Sequence, residues 1–267
     1  MVEFSNPTAY ERWMGRWSAL LAPAFVSFAD LPGGAHLLDV GAGTGVLSAA
    51  LLKATTDSTV VGIEPAADYV TYCRERFSDD RSCFQVGDAL DIPFEGARFD
   101  ATLSLLILQE LPDVRRALRE MRRVTRPGGL IAASQWDFAH GMPMLTLFWD
   151  TVVEVLNNQA SRQAAADCLV VDYPDDSALQ TLWRAAGLTE VETTRHVVDM
   201  AFTSFEDYWT PFLSNVTPTS SYASRLEPHQ VAEIEKCLRG KTAGNGPDRP
   251  FTLQAHAWSV RGRVPTV

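Results

Sequence analysis

Between His36 and Ser48 the chain reads HLLDVGAGTGVLS: an apolar run ends in an acid and continues with glycine at every second position. This pattern builds a strand that feeds a tight turn into a helix and leaves main chain open to a ligand. Gly41 and Gly43 can take backbone angles denied to other residues, while Gly45 lets the following helix pack close to the strand. Val46, Leu47, Ala50 and Leu51 then recur at helical spacing.

Two departures from the dinucleotide fingerprint narrow the ligand. The spacing is G-x-G-x-G rather than G-x-G-x-x-G, because position 46 is valine. Asp39 also sets a carboxylate at the mouth of the strand, where a pyrophosphate meets repulsion and an ammonium group meets attraction. Helix N–H groups beyond Thr44 would still accept a carboxylate. A ligand with ammonium, carboxylate, ribose and adenine but no phosphate fits, and S-adenosylmethionine is such a ligand. NAD fits less well.

Three further segments follow in a fixed order. VVGIEP at 60–65 ends a second apolar strand in Glu64, close to the roughly 20-residue interval expected for a ribose-binding acid. GDALDIPF lies at 87–94, and FDATLSLLILQELPD at 99–113 precedes RPGG at 126–129. With LLDVGAGTG, these segments resemble the class I S-adenosylmethionine-dependent methyltransferases, in particular the group that includes the ubiquinone and menaquinone biosynthesis enzymes. The resemblance covers roughly positions 36 to 136. It implies that Glu64 chelates the ribose hydroxyls, that Asp88 accepts the adenine amino group and that Ala89 donates from its backbone. Ala42, Gly45, Pro65 and Ser104 complete the expected cofactor contacts beside Asp39, Gly41 and Gly43. The implied fold is α/β, a Rossmann-like, doubly wound, seven-stranded sheet, mostly parallel with an antiparallel last strand, plus helical cap inserts.

Composition agrees with an enzyme-sized chain. Its 267 residues are 46% hydrophobic and 10% aromatic, enough for one core with a substrate-binding cap. No run approaches the roughly 18 apolar residues of a membrane span. The first residues, MVEFSNPTAYERW, lack a basic start and an apolar stretch, so a cytoplasmic location is the expectation. Cysteines at 73, 83, 168 and 237 form no C-x-x-C pair and do not cluster with the five histidines, so no metal site is expected. A formal charge of −10 argues against general affinity for nucleic acid. The arginines of DVRRALREMRRVTR at 113–126 surround an apolar stripe and read as a solvated helix face.

Punctuation along the chain divides it. Asn6 and Pro7 read as N-cap and first residue of a helical segment that runs to about Asp30. Strands fall near 37–41, 59–63, 82–86, 100–105 and 130–136, with helices near 45–54, 66–77 and 113–125. The alternation means a parallel sheet wound on both sides. A single methyltransferase domain over 1–267 is expected, with an N-terminal helical cap at 1–35 and a cofactor-binding core at 36–137. Substrate-side inserts are expected at 138–190 and 203–250, and the last strand at 251–263.

Methyl transfer asks little of side chains, because the sulfonium already carries the leaving group. Gln109 follows the fourth strand, where many relatives carry histidine, and His140 follows the fifth; both are candidate catalytic side chains. Glu110 stands beside Gln109, while His196, His229 and His256 are weaker candidates. Arg16 is a candidate partner for the cofactor carboxylate. Tyr10, Trp13, Phe148, Trp149, Tyr208, Trp209 and Phe212 are the substrate-side candidates, an aromatic set that favours a small apolar or aromatic acceptor. The expected activity is S-adenosylmethionine-dependent methyl transfer to a small molecule by in-line displacement, with S-adenosylhomocysteine as product. Binding of the cofactor without transfer, or a nicotinamide-dependent oxidoreductase, are the alternatives.

Overall fold

In the computed structural model, residues 7–138, 140–214, 217–242 and 248–266 are described. Asn6, the expected N-cap, and most of the glycine-rich loop at 240–246 lie outside them. The chain opens with α1 (Pro7–Tyr10), a π-helical turn (Glu11–Gly15) and α2 (Arg16–Ala29), which ends on Asp30 in the left-handed region. Strand and helix then alternate: β1 (His36–Val40), α3 (Val46–Ala54), β2 (Thr59–Glu64), α4 (Ala67–Arg76), β3 (Ser82–Val86), β4 (Phe99–Leu105), α5 (Val114–Val124) and β5 (Thr125–Trp136). Beyond β5 come α6 (Pro143–Leu156), α7 (Gln159–Leu169), α8 (Asp176–Ala185), β6 (Thr189–Phe202), α9 (Phe205–Trp209), α10 (Pro218–Ala223), α11 (Pro228–Thr242) and β7 (Phe251–Arg263).

The seven strands lie in the order β3-β2-β1-β4-β5-β7-β6. β1 to β5 pair in parallel, and β7 runs antiparallel to both β5 and β6. The order reverses at β1, between β2 and β4, which is where open α/β sheets bind ligands beyond the carboxyl ends of their strands. Strand five is longer than the sequence indicates. Thr125 pairs with Phe99 and Leu130 with Ala101, so the RPGG turn is taken up as an irregularity between two paired stretches.

Alternating side chains fill a hydrophobic layer on each face of the sheet. Leu37 and Ala132 join Phe25, Leu51 and Trp149 in one, while Leu38 and Ile131 join Leu118, Met121 and Trp183 in the other. Asp39 shares the face of Leu37, toward α3 and its Ser48. Beyond β5, α6 and α9 bury their aromatic residues in the first layer, while α8 puts Trp183 in the second.

Candidate functional site

The glycine turn shapes the carboxyl end of β1. Gly41 and Ala42 both donate N–H bonds to the Ile63 carbonyl at 2.9 Å, which pins the turn against β2. Gly43 has φ +52° and a side chain there would point into open space, so the main chain is bare on that side. Gly45, at φ +83°, answers a different need. A Cβ there would stand 2.6 Å from the Phe77 ring, so this glycine makes room for the segment after α4 rather than for a ligand.

Over this turn lies a cavity of about 590 Å³. Gly41, Ala42, Gly43, Glu64, Pro65, Asp88 and Ala89 line it, as does Tyr10 from the N-terminal segment. Glu64 accepts the Gly43 N–H at 3.1 Å and the Ala66 N–H at 3.2 Å, which holds its carboxylate at the cavity edge. Burial raises its pKa. Asp88 accepts the Leu90 N–H at 2.8 Å and is exposed at the far end. The wall holds three carboxylates, of Glu64, Asp88 and Glu110, and no Lys, Arg or His among its described residues. Such a wall favours positive charge and opposes phosphate.

Asp39 lies fully buried beneath the turn. Its Oδ2 accepts from Ser48 Oγ at 2.7 Å, whereas Oδ1 is buried without a partner. Burial pushes its pKa up to about 7, while the Ser48 bonds pull the other way. Thr44 Oγ1 and Tyr69 Oη are likewise buried and unpartnered, and both residues line the cavity. Buried polar atoms normally find partners, so Thr44 and Tyr69 give the cavity wall an unmet polar character, whereas Asp39 lies beneath the turn and outside that wall.

A second cavity, of about 230 Å³, adjoins the first and shares Tyr10, Leu106, Glu110 and Pro218 with it. Trp13 and Met14 of the π-helical turn form one side, and Trp136 and Phe138 from the end of β5 another. The tail of α7 and the start of α10 supply Cys168, Thr217 and Thr219. Gln109 belongs to this wall. Its amide donates to the Leu106 carbonyl at 3.3 Å, and its Oε1 is buried without a partner, as is the Trp136 indole nitrogen. Leu106 has φ +65°, an uncommon conformation for a leucine, and it stands between the two cavities.

Other expected residues lie elsewhere. Arg16 turns away from both cavities: its guanidinium donates to Asp207 at 2.7 Å and sits 4.2 Å from the Trp17 ring. Its charge is already matched there. Ser104 is fully buried in β4 and lines neither cavity. His140 is exposed, outside both walls, with its backbone N–H bonded to Asp137. Phe148, Trp149, Tyr208, Trp209 and Phe212 form a closed aromatic core instead of a cavity wall. Phe148 stacks on Phe212 at 4.4 Å, Phe212 meets Trp13 edge-on at 4.8 Å, and Tyr208 Oη donates to the Met144 carbonyl. Of the seven aromatic candidates only Tyr10 and Trp13 reach a cavity.

Several wall residues had no signal in the sequence. The left-handed Leu106 is invisible there, Tyr69 and Trp136 come from segments read as plain helix or strand, and Phe138 stands at the start of an insert with no pattern of its own. The T-P-x-S start of α10, with reciprocal capping by Thr217 and Ser220, is a signal that could have placed Thr217.

Known proteins are similar to this chain in sequence and fold. The family described as methyltransferase domain, Methyltransf_11, matches residues 38–133. A demethylmenaquinone methyltransferase of Clavibacter sepedonicus is 31% identical over 168 residues, covering 60% of this chain and 67% of that protein. Another, from Roseiflexus castenholzii, is 34% identical over 109 residues, covering 41% of this chain and 46% of its own length. This chain therefore spans two thirds of the first relative and under half of the second. Among solved structures, phosphoethanolamine N-methyltransferase 2 of Haemonchus contortus, in complex with S-adenosyl-L-methionine, superposes with a TM-score of 0.60 at 15% identity. That match covers 98% of this chain and 57% of the other, and at such identity it concerns the fold alone.

Proposed function

This chain belongs to the class I S-adenosylmethionine-dependent methyltransferases, and we propose that it methylates a small molecule held in the 230 Å³ cavity beside the glycine turn. S-adenosyl-L-methionine is the methyl donor of the family. When bound, it supplies an electrophilic methyl group on a sulfonium that is already a good leaving group.

The observation that carries the reading is the larger cavity itself: bare main chain at Gly43, an acid-rich wall without a cation, and buried unpartnered oxygens. The chemistry of the donor answers each of these. Asp39 Oδ1 suits its ammonium group, directly or through water. Glu64, already fixed by two backbone bonds, keeps lone pairs for the ribose hydroxyls. Asp88 and the Ala89 backbone serve the adenine, and the Gly41–Thr44 main chain runs beneath the rest. The acid wall also accommodates the sulfonium charge.

Residues 36–137 thus carry the donor, while the N-terminal cap and the inserts at 138–190 and 203–250 hold the acceptor. Positioning does most of the chemical work. A well-oriented bound pair gains roughly 7–11 kcal/mol in reference reactions. Gln109 and Glu110 stand where the nucleophile would lie, and a small acceptor with an apolar body matches Trp13, Trp136 and Phe138.

Incubation with methyl-labelled S-adenosylmethionine and a panel of small alcohols, phenols, carbon acids and amines tests the reading. Label should pass to one class of acceptor with equimolar S-adenosylhomocysteine. Tight cofactor binding with no transfer to any of them would favour a binding protein that does not methylate.

A further inference from the structure

The acceptor cavity is not neutral. Glu110 stands where it meets the donor cavity, and Asp167 at the end of α7 lines its outer side. No Lys, Arg or His is found among its described wall residues. The same wall carries the aromatic residues Tyr10, Trp13, Trp136 and Phe138. Carboxylates combined with aromatic rings are how proteins hold organic cations, because both the charge and the ring faces attract positive charge.

Glu110 has no hydrogen-bonding or ionic partner for its carboxylate among the described residues, and it is not held back by a neighbouring arginine or lysine. Glu110 is an exposed residue, yet the protein packed around its carboxyl raises its pKa by desolvation. Gln109, a neighbour of Glu110 in the same wall, has its Oε1 buried without a partner.

We infer that the methyl acceptor is a small amine, and that Glu110 holds and stabilises the charge its nitrogen acquires; this rests on the methyltransferase reading above. The argument is one of charge flow. An amine bound as its free base uses its lone pair to form the new N–C bond, as the S–C bond breaks and leaves its pair on sulfur. Positive charge passes from sulfur to nitrogen. On a tertiary amine it stays there; on a primary or secondary amine the proton goes to the Glu110 carboxylate. A wall that attracts cations on the acceptor side is therefore stabilising as the charge arrives. A phenolate or carboxylate nucleophile, by contrast, would bring negative charge against Glu110 and Asp167 and would lose charge on reaction, so this wall would oppose its binding.

The test is calorimetric titration of the full chain, saturated with S-adenosylhomocysteine, with benzyltrimethylammonium, benzyl alcohol and benzoate. The account predicts that the cation binds at least about tenfold more tightly than the alcohol and that benzoate does not bind. Glu110→Gln should remove about tenfold of the cation preference, and Asp167→Asn less, since the Asp167 carboxylate already accepts from Gln163 whereas that of Glu110 has no such partner among the described residues. Labelled methyl transfer to N,N-dimethylbenzylamine should be lost in parallel in Glu110→Gln. Binding of alcohol or benzoate as tight as that of the cation, or an undiminished preference in both variants, would overturn the amine inference. S-adenosylhomocysteine failing to bind folded wild-type protein would instead remove the methyltransferase reading beneath it.

Discussion

The two adjoining cavities are made in different ways. The larger is floored by main chain: the turn from Gly41 to Thr44 follows one strand, and Glu64 closes the next. The smaller is lined by residues drawn from distant segments: the π-helical turn, the loop after β4, the end of β5, α6, α7 and α10. A backbone-built site needs a few residues of fixed conformation near one another in sequence, and tolerates change in its neighbours. A side-chain-built site depends on how distant helices pack, so its shape and charge can diverge while the sheet beneath stays the same.

Behind the smaller cavity stands the aromatic core, and truncating it should give the largest effect. Phe148 is fully buried and stacked on Phe212. Phe148→Ala should cost about 3–5 kcal/mol of stability in denaturant unfolding, with S-adenosylhomocysteine affinity retained under folding conditions. Loss of acceptor binding without loss of stability would instead mean that the ring is part of the pocket. In the backbone-built cavity, Glu64→Ala should weaken S-adenosylhomocysteine by roughly 1.5–3 kcal/mol, read by calorimetry, as a charged acceptor of two hydroxyls is removed. Unchanged affinity would reduce Glu64 to a brace for Gly43 and Ala66.

Asp39 links the same cavity to pH. Its pKa is about 7 when folded against a reference of 3.8, so the folded state binds the extra proton between these values. The stability it contributes is fully present below about pH 4 and is lost as pH rises through about 7. An ammonium group at Oδ1 would favour the ionised form, so binding at pH 7 should release about half a proton, measured in buffers of different ionisation enthalpy. Asp39→Asn should remove the Asp39 share of both, so that the proton release and the stability slope near pH 7 both diminish. The smallest effect is expected at Arg16, which lies outside both cavities. Arg16→Ala should cost about 1 kcal/mol of stability, from a part-exposed ion pair and ring contact, and leave cofactor affinity unchanged. A large fall in affinity would bring Arg16 back to the donor carboxylate.

These contrasts also explain what could be read in advance. Glycine spacing and strand-terminal acids record backbone conformation directly, so the Gly41–Gly45 turn, Glu64 and the five parallel strands were legible, whereas Asp88, beyond the end of β3, was reached only through the family resemblance. Hydrophobic periodicity identified the cap helices but not what they face. Trp149 and Tyr208 stood as substrate-side candidates although such aromatic stripes are more often core than pocket, and burial by one layer or another leaves the same spacing. Arg16 failed for the same reason: its partner Asp207 lies 191 residues away and no local pattern announces it. Leu106 is harder still, since nothing in LLILQ marks a left-handed leucine.

The central claim is that the glycine turn and its acid-lined cavity form an S-adenosylmethionine site. Calorimetric titration of the purified chain with S-adenosylhomocysteine, with NADH as the parallel control, tests it most directly. The account predicts saturable one-to-one binding of S-adenosylhomocysteine alone, diminished in Glu64→Ala. Binding of NADH without S-adenosylhomocysteine, or of neither to folded, ligand-free protein, would contradict it.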